Sequence, residues 1–240
     1  MKNQEEAILQ KTLNLDFTEQ DSIGVSSLTT AQRTIGIIGM LLPVLLVGFL
    51  YLDTCYTGTL ESISHYYYTR VNSILFLVVG FLAFFLLIYK GKEPIDFYLS
   101  VAAAIGALSL LLFPTGNVSA EFLGIKDLVV TKLSESKGRE IFHYCSAGLF
   151  FLSLAAMSLF VFTRSSHPPA MRTRNKKIRN MIYTICGIVM IASLLVILVS
   201  WLTGYGKSSG FDSLTFWMEV VAVEFFGLSW LTKSELFLKG

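Results

Sequence analysis

The side chains best suited to chemistry stand together in Leu60 to Arg70, where Glu61, Ser62, Ser64, His65, three tyrosines and Arg70 lie between two apolar runs. At helical spacing Glu61, His65 and Tyr68 share a face, so the carboxylate can orient or charge the imidazole. Ser62 and Ser64 are candidate nucleophiles, with His65 or the distant His143 as the base that takes the hydroxyl proton. A metal centre is the competing use of the same groups. The chain has three histidines, and His167 falls in a basic connection on the opposite side of the membrane, which excludes a three-histidine zinc set. His65 and His143 with Glu219 or Glu61 remain as a two-histidine, one-carboxylate set of the kind that holds a divalent metal such as zinc. No HExxH or comparable spacing accompanies them.

The elements that must bring these residues together are membrane helices. Of 240 residues, 53% are hydrophobic and 15% charged, with the charges in short blocks between apolar runs, which marks a polytopic membrane protein and excludes a soluble one. Six stretches reach the roughly 17 to 25 residues that a spanning helix needs: Thr34 to Leu52, Val71 to Tyr89, Phe97 to Phe113, Ile141 to Thr163, Ile182 to Thr203 and Ser213 to Thr232. The expected fold is an all-α bundle of six transmembrane helices over residues 34–232, with an N-terminal arm at 1–33 and a tail at 233–240. The acidic stretch Met1 to Asp21 has no apolar run, so it does not read as a cleavable signal peptide, and the first span itself directs insertion. A net charge of +2 is too small to point to nucleic acid, and Cys55, Cys145 and Cys186 form no disulfide framework or zinc spacing.

Six spans place both termini on one side. Thirteen of the nineteen Lys and Arg then fall on the side of the termini, which makes that side cytosolic. The cluster from Arg164 to Arg179 carries most of this bias and is attractive to anionic headgroups, although a topology signal alone explains it. On the opposite, outward face converge Glu61, His65, His143, Trp217 and Glu219. His143, Ser146 and Ser153 form one stripe along the fourth span, directed inward. The tyrosine triplet reads equally as part of this site or as an interfacial aromatic belt. Asn117-Val118-Ser119 matches the glycosylation acceptor pattern.

Two features lie within the spans. In the third, Ser100 with Ala104 and Ala103 with Ala107 make a stripe of small residues, which admits close approach by another helix, predicts a central position and offers a contact for a homo-oligomer. In the sixth, Glu224 sits roughly 16 Å below the start of its helix, near the bilayer midplane. There it must be protonated, hydrogen-bonded to a group such as Ser109, Ser153 or Tyr183, or open to a hydrated cavity.

The expected function is therefore a membrane protein with a polar pocket open to the outer face, binding a lipid or small amphiphile and hydrolysing it. Glu61, Ser62, Ser64, His65 and His143 are the candidate catalytic residues, and Tyr68, Arg70, Trp217 and Glu219 the candidate ligand contacts. One alternative is an ion channel or proton-coupled transporter using Glu224, and another a non-catalytic signalling or scaffold protein.

Ser62-Ile63-Ser64-His65-Tyr66-Tyr67-Tyr68-Thr69, Tyr89-Lys90-Gly91, Phe113-Pro114-Thr115 and His143 followed by Ser146-Ala147 together resemble a group of bacterial multi-pass inner-membrane proteins that carries no known activity. The resemblance covers most of the chain and implies a bacterial inner-membrane location. Ser62 with His65 and the polar last span are also faintly similar to the membrane hydrolase superfamily of alkaline ceramidases and adiponectin-type receptors. That likeness implies seven spans and a zinc site with two histidines in the last helix, where this chain has six spans and Glu219 and Glu224.

Overall fold

The computed structural model describes residues 28–91, 93–119, 128–165, 168, 171–205 and 212–238; most of the expected N-terminal arm, His167 and the end of the tail lie outside them. All six apolar stretches are helical: α1 Leu28–Thr54, α2 Asn72–Ile88, α3 Pro94–Leu112, α4 Lys137–Ala156, α5 Arg174–Thr203 and α6 Leu214–Lys233. Five of them are long and apolar enough to cross a membrane, while α2, at 17 residues, is shorter. A 3-10 segment, Ile63–Tyr68, lies between α1 and α2, and α4 runs on through a π turn, Met157–Val161.

Local sequence explains where the helices begin and stop. Pro94 suits the first turn of α3, where its missing N–H is no loss, and Glu93 and Asp96 cap each other's backbone amides in a reciprocal box. Ser136 Oγ accepts the Arg139 N–H to start α4, and Thr173 Oγ accepts the Lys176 N–H to start α5. At its far end α5 closes on Gly204 in the left-handed region, φ 67°. Pro114 prevents α3 from continuing, which leaves the carbonyls at its C-terminal end in need of donors.

The helices form a ring in which each packs against its neighbours in sequence and α6 returns to α1. The closure is tight because two glycines face one another: a Cβ on Gly36 would lie 2.9 Å from the Gly227 carbonyl oxygen, and one on Gly227 would lie 2.8 Å from that of Gly36. At the contact of α3 with α4, a Cβ on Gly106 would meet the Phe150 amide nitrogen at 2.8 Å. The small-residue face of α3, with Ala103, Ala104 and Ala107, is buried within the chain. That face does admit a close neighbour, but α3 is one member of the ring and not its centre.

The two ends of the ring differ. At one end Trp230 is fully buried among Tyr89 and Phe162, with ring centroids 5.0 and 5.2 Å away, and Arg164 ties α4 to α3 through Asp96 at 2.7 Å and Glu93 at 3.0 Å. At the other end the 3-10 segment folds over the ring. Tyr68 O accepts from Val130 N–H at 2.9 Å, and Asn117 holds Leu133 through both halves of its amide, at 2.8 and 2.9 Å. Asn117 is thus a structural clasp for the 128–135 segment. Tyr66 and Tyr68 are fully buried, so these two are core and not an interfacial belt, while Tyr67 is partly buried.

Candidate active site

A 3-10 helix has three residues per turn, so side chains three apart line up along one edge. In Ile63–Tyr68 and the residue before it this gives separate edges: Ser62, His65 and Tyr68 on one, Ser64 and Tyr67 on a second, and Ile63 with Tyr66 on a third. The α-helical spacing expected from the sequence does not apply, although Glu61, which precedes the segment, still reaches His65, Oε2 to Nε2 at 3.0 Å. Ser62 Oγ lies 2.7 Å from His65 Nδ1. Since the carboxylate can only accept, Nε2 carries a proton, and in the neutral imidazole Nδ1 then accepts from the Ser62 hydroxyl. Glu61, His65 and Ser62 therefore form a linked acid, imidazole and hydroxyl.

The second serine meets the second histidine. Ser64 Oγ is 3.0 Å from His143 Nε2, and His143 Nδ1 is 2.8 Å from the Phe113 carbonyl oxygen. A carbonyl cannot donate, so His143 Nδ1 must be the N–H and Nε2 the lone pair that accepts the Ser64 hydroxyl. The break in α3 at Pro114 supplies this arrangement. The carbonyls at and just beyond the helix end are each taken by a side chain: Phe113 O by His143, Pro114 O by Arg139 Nε at 3.1 Å, and Thr115 O by the Tyr68 hydroxyl at 2.5 Å. His143, Ser146 and Ser153 are all buried, as their stripe along α4 predicts.

α6 anchors the segment from the other side. The Ile63 N–H donates to Glu219 Oε2 at 2.5 Å, and the Phe216 N–H donates to the Glu61 carbonyl at 2.9 Å. Beneath these groups runs a cavity of about 60 Å³ whose polar end carries Ser64, Tyr67 and Glu219. Its shaft is apolar, with Leu42, Val79, Leu110, Phe150 and Phe226 contributed by five of the six helices. Burial pushes the Tyr66 and Tyr68 phenols above their ordinary value, so both stay neutral.

The structure thus brings together Glu61, Ser62, Ser64, His65, His143 and Glu219. It does not bring in the other expected ligand contacts. Tyr68 is tied to Thr115 away from the cavity, Arg70 is exposed and lies 3.7 Å from Asp53, and Trp217 is 45% exposed. Tyr67, hidden in the triplet until the 3-10 period was known, lines the cavity in their place. The donors proposed for zinc are otherwise engaged: all four imidazole nitrogens of His65 and His143 make hydrogen bonds, and Glu219 holds the Ile63 amide. Among the described residues no group of three or more His, Cys, Asp and Glu is placed to hold a metal ion, so the arrangement does not fit a zinc centre.

Glu224 is half-buried on α6 and is not part of the cavity wall. None of the described side chains Ser109, Ser153 or Tyr183 bonds to it. Glu224→Gln is expected to leave the thermal unfolding of the purified protein within about 0.5 kcal/mol of the wild type, as for a substitution that breaks no network. A proton flux in reconstituted vesicles that this change abolishes would instead assign Glu224 to transport.

The five long apolar helices mark the chain as a membrane protein by length and composition. Compared with protein families, with curated proteins and with solved structures, the chain finds no match.

Proposed function

We propose that the protein is a six-span membrane hydrolase, with both ends of the chain on the cytosolic side, that acts on a lipid or small amphiphile at the outer face. The observation that carries this reading is the pairing of Ser64 with His143 at the polar end of an apolar cavity. His143 Nε2 takes the Ser64 proton as Oγ bonds to an ester or amide carbonyl carbon. The same proton passes to the leaving oxygen or nitrogen as its bond to that carbon breaks. Water then releases the acyl group from Ser64. The Phe113 carbonyl holds the imidazole in the required tautomer, the orienting role that a carboxylate plays in a catalytic triad.

Ser62, although linked to His65 and Glu61, is 5% exposed and is not part of the cavity wall. We assign this trio to positioning the segment that presents Ser64. The apolar shaft suits an acyl tail, and Glu219 suits a hydroxyl or N–H of the head. At about 60 Å³ the cavity is smaller than the roughly 150 Å³ that admits benzene elsewhere, so a longer tail enters only as side chains such as Phe150 and Phe226 turn aside.

A fluorophosphonate probe tests the assignment, because it forms a stable adduct only with an activated serine. The wild-type protein and Ser62→Ala are expected to label and Ser64→Ala to remain unlabelled. Labelling that persists in Ser64→Ala, or a wild-type protein that does not label, would overturn the nucleophile.

A further inference from the structure

At the end of the ring opposite Ser64, a polar pocket of about 200 Å³ opens between the end of α4, the start of α5 and the end of α6. By this measure roughly 10–15 Å³ holds one water, so the space admits a group the size of a phosphate. Arg164, Lys176, Arg179 and Lys233 line it, against one carboxylate, Glu235, which pairs with Arg179. Arg164 turns toward Asp96 and Glu93, outside the pocket. Lys176 Nζ donates to the Phe162 carbonyl at 3.1 Å, and Lys233 Nζ lies 5.4 Å from the centre of the Phe162 ring. Among the described residues the pocket wall thus carries four cations and one anion, with Asp96 and Glu93 facing Arg164 from outside it, so positive charge still outweighs negative around the cavity.

The start of α5 adds to that excess. Its first turn holds Arg174, Lys176 and Lys177 and no acid, although a helix N-terminus carries partial positive charge and favours anions. Cations placed there repel both the helix dipole and one another, so the arrangement is relieved when an anion enters. Guanidinium and ammonium groups together, beside the Tyr183 ring, provide the fork and point-charge donors that phosphate oxygens accept. Arg179 is 6% exposed, which holds its guanidinium in one place instead of on a mobile surface arm.

We propose that this pocket binds a phosphate group, whether on the headgroup of an anionic lipid at that face or on a free phosphate. The site is separate from the serine–histidine pair and does not depend on its function. The test compares the wild type with the double variant Lys176→Gln/Lys233→Gln, each shown to be folded by gel filtration and circular dichroism. Thermal unfolding is followed against inorganic phosphate in neutral detergent, and in nanodiscs of phosphatidylcholine with and without phosphatidylglycerol.

A rise in Tm with inorganic phosphate identifies a free phosphate ligand. A rise only with phosphatidylglycerol identifies a lipid headgroup. In either case the double variant is expected to need about thirtyfold more ligand for the same rise, roughly a factor of five per lysine. If neither probe raises the wild-type Tm, or if the double variant responds as the wild type does, the proposal fails. Should the double variant not fold, the single variant Lys176→Gln carries the test, with about a fivefold shift expected.

Discussion

His143→Asn is expected to lower turnover of a lipid ester by about 10²- to 10⁴-fold while leaving the fold intact. The asparagine amide can still donate to the Phe113 carbonyl, as Nδ1 does now at 2.8 Å, so the break after α3 keeps its donor. What is lost is the Nε2 lone pair, and with it the acceptor for the Ser64 proton. The informative comparison is kcat against KM. Loss of a base that acts only as the proton moves lowers kcat and kcat/KM together, whereas a merely disturbed cavity raises KM. His65→Asn serves as the control. Its imidazole bonds Ser62 and Glu61 and not Ser64, so its effect should be several-fold smaller. Equal losses in the two variants would argue against His143 as the base.

Gly227→Leu is expected to have the largest effect on stability. A side chain there meets the Gly36 carbonyl oxygen at 2.8 Å, and backbone cannot turn aside as a side chain can. Overpacking typically costs about 1–3 kcal/mol; at this backbone-to-backbone contact the upper end applies, or a Tm lower by about 5–10 °C. Gly148→Leu provides the contrast, since a Cβ at Gly148 has nothing within 4 Å and its Tm should stay near that of the wild type. The displacement should also reach the candidate site, because α6 carries both Glu219 and Phe216. Labelling of Ser64 is therefore expected to fall in Gly227→Leu even at temperatures where the protein remains folded.

Much of the helical frame is legible in the sequence because a membrane demands long apolar runs, and charges then mark where each run stops. All six stretches became helices for that reason, with α2 the shortest. The stripe of His143, Ser146 and Ser153 was legible for a related reason, since polar side chains on a spanning helix turn from lipid. The connection that holds the serines was harder to read. Leu60 to Arg70 has no periodicity that separates 3.6 residues per turn from 3.0, and the tighter winding lines up residues three apart, Ser62 with His65 and Ser64 with Tyr67, along straight edges.

Contacts distant in sequence were not legible either. Nothing local announces that Gly36 will face Gly227, or that the Phe113, Pro114 and Thr115 carbonyls will receive His143, Arg139 and Tyr68. Pro114 implies that carbonyls will be left over, though not which donors will come to them. The sequence places Arg70 and Trp217 near the mouth of the site, but each has a direction of its own, one toward Asp53 and the other outward.

The return of α6 to α1 sets an order of events during synthesis. The segment bearing Ser64 leaves the ribosome early, yet its backbone is pinned by Phe216 and Glu219, the latter 156 residues beyond Ile63. Until the sixth helix arrives, the Ile63 amide has no carboxylate to meet and the apolar shaft has an open side where Val223 and Phe226 belong. A chain halted before Leu214 would carry Ser62, Ser64, His65 and His143 and still lack a finished candidate site, so α6 acts as its keystone.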